Sequence, residues 1–79
     1  GNLYSRQNRW SEAQQVYFNA VAADADNPDY LFNLAVSLDH LRQPKLAAQH
    51  YRLALEAAQR RPAAFDRDRV KLRLAELQP

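Results

Sequence analysis

Seventy-nine residues with a formal net charge of +2 make one small domain or a piece of a larger one. With no cysteine, neither a disulfide nor a thiolate metal site can staple the fold, and a core of this size supplies about 3–5 kcal/mol at most. One glycine, four valines and no isoleucine or threonine leave hairpins and strands without their preferred residues, so the chain is expected to be all-α.

Taken in chain order, residues 3–8 read as the end of a helix, followed by a turn at Asn8. Ser11 with Gln14 forms an S-x-x-Q capping box, which predicts a helix over 12–24. Ala13, Tyr17 and Ala20 line one face of it at i, i+4 and i+7. Asn27 followed by Pro28 is an N-cap with proline at the first helical position, and it predicts a helix over 28–41. Pro44 opens a helix over 44–60 in the same way, although Gln43 is a poor cap, and Pro62 ends it. Asp66 is placed to cap a last helix over 67–77, with Phe65 and Val70 as the two members of a hydrophobic staple.

The segments "SEAQQVYFNAVAAD" and "KLAAQHYRLALEAA" share one frame. Ala13, Gln15, Tyr17 and Ala20 return as Ala47, Gln49, Tyr51 and Ala54, thirty-four positions later. Small residues let a neighbouring helix come close, and the tyrosine ring fills the space between them. This period and face resemble the tetratricopeptide repeat, a helix–turn–helix unit that stacks into a superhelix. "LFNLAVSL" matches the family's first helix and "KLAAQHYRLAL" its second, while the first copy retains only the end of a first helix. The turn glycine of the family is Asn8 in one copy and Arg42 in the other; asparagine tolerates a left-handed turn, arginine at some cost.

The resemblance implies about one and two-thirds repeats and a C-terminal capping helix in a single domain: a partial repeat over 3–27, a second over 28–61 and the cap over 62–79. Lacking an initiator methionine, the chain reads as a fragment of a longer protein, and "DADNPDYLFNLAVSLDHL" is similar to bacterial members associated with pilus assembly and secretion.

Leu31, Leu34, Ala35 and Leu38 form the stripe expected to face helix 44–60. That helix is apolar nearly all round, with Leu46, Leu53 and Ala57 beside the tyrosine face, and is expected to be buried between neighbours. The terminal helix offers it Val70, Leu74 and Leu77, and turns Arg67, Lys71 and Glu76 outward. Tyr17 and Tyr51 are expected in equivalent buried sites.

By resemblance, the groove of such a module would be lined by Asp29, Phe32, Asn33, Val36, Asp39 and His40. Arg69 and Arg73, one turn apart, are candidates to meet a peptide carboxylate, with ordinary surface arginines as the plainer alternative. Phe32 and Val36 would otherwise pack against a preceding helix. The implied function is recognition of a peptide or helix of a partner protein; the rival role is the closing end of a longer array. Incomplete cover over Val16, Tyr17 and Val21 further suggests a homodimer of this fragment through the Tyr4–Trp10–Tyr17 region.

Other chemistries find little support. His40 and His50 lie on different helices without the i, i+4 partner of a helical zinc site. "DADNPD" lacks the central glycine and distant glutamate of a calcium loop. No phosphate-cradling glycine loop or nucleophile elbow occurs, so neither a cofactor nor a catalytic residue is expected. Residues 60–79 carry six cations against three anions, but without the dense basic and aromatic surface of a nucleic-acid binder. No run approaches the roughly 20 apolar residues of a membrane span.

Overall fold

The computed structural model describes residues 2–77, with side chains described from Asn8 onward. Four helices follow one another: α1 (Asn2–Ala23), α2 (Pro28–His40), α3 (Pro44–Arg60) and α4 (Arg67–Leu77). Every regular element among the described residues is helical. Each helix packs on its sequence neighbour, as the short connections between them require. The fold is all-α, of the helical-repeat type.

Local chemistry sets most boundaries. Asn27 accepts hydrogen bonds from the backbone N–H groups of Asp29 and Tyr30, at 3.0 and 3.2 Å, and Pro28 follows it at the first helical position. Such a cap contributes about 1 kcal/mol. Asp66 opens α4 similarly, accepting from the N–H of Asp68 and of Arg69. Gln43 makes no side-chain cap before α3. There the turn is held from the other side: Arg42 takes φ 61°, its N–H reaches the Asp39 carbonyl, and the Gln43 N–H reaches that of Leu38. These two bonds are the Schellman pair that closes a helix C-terminus.

The first copy departs from expectation. Residues 8–11 do not turn; α1 is one continuous helix of 22 residues, about 33 Å long. The second copy has a helix breaker that the first lacks. Pro44 lacks an N–H and pushes Gln43 out of the helical region, whereas the equivalent Trp10 imposes neither constraint. No proline or glycine falls between Asn2 and Ala23, so intrahelical bonds continue through the Ser11 capping box. Trp10→Pro is expected to restore the break: residues 2–8 should lose amide-exchange protection while α2 and α3 keep theirs. Protection unchanged throughout α1 would show that the helix does not depend on this position.

The core sits between α2 and α3. Leu34, Ala35 and Leu38 cluster with Ala47, Tyr51 and Val70, and Leu31 clusters with Ala54 and Ala57. The expected stripe of α2 therefore meets the tyrosine face of α3. From α4, Val70 is buried in this cluster, and the half-buried Leu74 and Leu77 pack against it. Arg67, Lys71 and Glu76 face outward, as does Leu72.

Two expectations about burial need correction. Leu46 and Leu53 are exposed, because α4 is short and covers only part of α3. Tyr17 is half-buried while Tyr51 is 4% exposed. Tyr51 lies in the cluster shared by α2 and α4; Tyr17 packs only against the edge of that cluster.

Candidate functional site

Phe32 and Val36 project from α2 toward the segment after α3 and the first turns of α4. The Phe32 ring stacks on Phe65, with centroids 4.8 Å apart and an interplanar angle of 17°, and meets Tyr51 at 6.2 Å and 55°. Between α2 and α4 this leaves a hollow of about 310 Å³, lined by Phe32, Val36, Phe65, Arg69, Val70 and Arg73, among others. A second hollow, of about 420 Å³, contains Asp29, Asn33 and Ala64 and shares Phe32 and Phe65 with the first. The two make one groove with an aromatic floor and a polar rim. Its size suits large apolar side chains.

Its walls are fixed by polar contacts across the repeat. Arg73 grips Asp39 with two hydrogen bonds, Nε to Oδ2 at 2.7 Å and Nη2 to Oδ1 at 2.5 Å. The Tyr51 hydroxyl donates to the same Oδ2 at 3.2 Å, and Arg73 Nη1 reaches Glu76 at 3.4 Å. One carboxylate thus ties α2, α3 and α4 together. The Arg73 hydrogen bond, aided by its charge, lowers the Asp39 pKa against the opposing effect of burial. Burial first, and the Asp39 charge second, raise that of the Tyr51 hydroxyl.

The connection after α3 is tied down as well. Asp29 accepts from the Ala64 N–H at 2.9 Å, Arg61 pairs with Asp24, and Arg60 pairs with Asp26. The Arg61 hydrogen bond lowers the Asp24 pKa. These exposed pairs contribute little stability in water, but they define where the 61–66 segment runs. Phe65 is positioned by that path.

The structure gathers Asp29, Phe32, Asn33, Val36, Arg69 and Arg73 along one groove. Asp39 lies behind its wall, committed to Arg73 and Tyr51; among the described residues, Arg69 is the rim cation without an ion pair. His40 is elsewhere. It is exposed on the α1 side of α2, where its ring stacks on Trp10 at 3.9 Å and 2°. A hollow of about 500 Å³ lies there, lined by Arg9, Trp10, Ala13 and His40. Tyr4 belongs to a part of α1 whose side chains lie outside the described residues.

Phe65 and Tyr51 are groove residues that sequence reasoning assigned to other tasks, a staple and a core position. One signal for the polar network was present: Arg73 follows Asp39, and Arg60 follows Asp26, by the same thirty-four residues as the repeat. Equivalent positions of successive units are neighbours in a stack.

The groove thus combines an apolar floor, a polar rim and walls fixed by the Asp39 network. Among the described residues no three His, Cys, Asp or Glu side chains gather to hold a metal ion, and no helix is long and apolar enough to cross a membrane. No curated protein and no solved structure matches the chain. A tetratricopeptide repeat family model does match residues 1–29, the segment that holds α1 and the start of α2. Repeats of this kind generally mediate contacts between proteins and are typically not enzymes. With four helices in simple succession and a thirty-four-residue frame, this match supports a tetratricopeptide-like helical repeat.

Proposed function

We propose that the groove between α2 and the 61–73 segment binds a short apolar stretch of a partner protein. The observation that carries the reading is the Phe32–Phe65 stack. Two large rings are held half-buried at the floor of a groove whose walls are already fixed by Asp39, Tyr51 and Arg73. A preformed site of this kind avoids the ordering cost that weakens mobile binders. Arg69 at the rim favours an acidic residue beside the apolar anchor.

A displayed random-peptide library selected on the chain tests this. Enriched peptides should share a bulky apolar residue, and Phe32→Ala should weaken their binding by about tenfold or more. Because Phe32 also packs on the core cluster, Arg69→Glu serves as the second variant, on an exposed residue. It should discriminate against peptides with an acidic neighbour. Peptides that bind both variants as well as the parent would place recognition outside the groove.

A second reading has its own support. The outer face of α4 exposes Arg67, Lys71 and Glu76, as a helix that closes a stack requires. In that role α4 keeps the end of an array in solution, and the groove is its last binding position.

A further inference from the structure

The repeated frame is more exposed in copy one than in copy two at every position of its tyrosine face. Ala47 and Ala54 have no exposed surface and Tyr51 is 4% exposed, while their equivalents Ala13, Ala20 and Tyr17 are half-buried. Val16 is 62% exposed where its equivalent His50 is half-buried. The same side-chain arrangement is therefore covered once and left partly open once.

Copy two shows what covers it. Leu31, Leu34, Ala35 and Leu38 of α2 close over Ala47, Tyr51 and Ala54, all within the two core clusters. The alanines allow a close approach, and the leucines pack around the tyrosine. In copy one, α2 touches this region from one side only, where Tyr17 and Val21 meet the core cluster. The open part of the face continues directly from that interface toward Val16.

We infer that the Ala13–Val16–Tyr17–Ala20 face of α1 accepts an amphipathic helix from another molecule, bearing the stripe Leu-x-x-Leu-Ala-x-x-Leu. Such a helix runs antiparallel to α1, as α2 does to α3. Its C-terminal end then lies over Arg9, which is exposed beside the hollow lined by Trp10 and Ala13. A cation there complements the negative end of the helix dipole. A second intact copy of this chain does not supply the stripe, because its own is buried between α2 and α3. None of these α1 residues lines the groove proposed above, so the two surfaces are tested independently.

A synthetic peptide of residues 28–41 carries the stripe and is the probe. Titrated into the full chain, it should bind saturably at one to one, with a change in the emission of Trp10, the single tryptophan. The peptide variant Leu34→Glu should lose binding by about tenfold or more, since it puts a charge into the buried stripe. The chain variant Val16→Glu should weaken the parent peptide to a similar degree; Val16 is exposed, so the fold does not depend on it. Three results would overturn the inference. One is the absence of saturable binding. Another is unchanged affinity in Val16→Glu, which would mean that the peptide displaces α2 instead. The last is self-association of the unliganded chain that Val16→Glu abolishes, which would assign this face to a second copy.

Discussion

Replacing Tyr51 with alanine is expected to leave most of the chain unfolded at physiological temperature. The ring is 4% exposed and belongs to the cluster where α2, α3 and Val70 of α4 meet. Truncating a buried aromatic of this kind costs about 3–5 kcal/mol. A domain of this length holds about the same amount in total. The loss also strips Asp39 of one hydrogen bond and Phe32 of an aromatic neighbour. Tyr51→Phe separates the two effects: it keeps the ring and should cost only about 0.5–1.5 kcal/mol, the usual net value of one hydrogen bond. Circular dichroism melts of the two variants check this. A Tyr51→Ala melt superimposable on that of the parent would remove the ring from the core and break the equivalence of the two copies.

The second large effect is a stability plateau bounded on both sides by the same network. Asp39 has a lowered pKa in the folded chain, mainly through Arg73. Its contribution is therefore complete above the unfolded value, about pH 4, and is lost as pH falls through the lower folded value. Tyr51 is raised, mainly by burial. Its contribution is complete below the unfolded value, about pH 10, and is lost as pH rises beyond it. The midpoint of thermal melting should be level between these limits and fall outside them. Asp39→Asn should flatten the acid limb by about 1–2 kcal/mol, a figure held down because the Arg73 side chain is 42% exposed. The acid slope that remains belongs in part to Asp24, whose pKa Arg61 lowers. Tyr51→Phe should flatten the alkaline limb and reduce the acid limb only slightly, because its hydroxyl is a lesser cause of the lowered Asp39 pKa than Arg73. An acid limb identical in Asp39→Asn would mean that the Arg73 pair contributes nothing to stability.

Much of this architecture was legible from residue chemistry. Caps at Asn27 and Asp66 and prolines at 28, 44 and 62 are local signals, and the helices they bound begin or end beside them. The α2 stripe was readable because its period is helical and its partner face recurs in the sequence. The run-through of α1 was not. A capping box offers only a few tenths to about 2 kcal/mol, and without a proline or glycine it does not interrupt a helix that can continue. The groove was half legible. Spacing on α2 put Phe32, Val36 and His40 on one face, and only the resemblance to the repeat family made that face a groove. Yet the last turn of α2 lies beside α1, where Trp10 supplies a ring for His40 to stack on. Phe65 reaches the groove floor because Asp29 and Asp24 hold the 61–66 segment in place, and contacts between segments so far apart have no local signal.

The location of a bound peptide tests the central claim most directly. A library-selected peptide added to isotope-labelled chain should shift the backbone amide resonances of residues 29–36 and 64–73, together with the Arg69 side-chain signal. Those of residues 12–20 and 45–50 should stay in place. Shifts centred on α1 or on the exposed Leu46 end of α3, with Phe32 and Phe65 unmoved, would contradict the assignment of this groove as the binding surface.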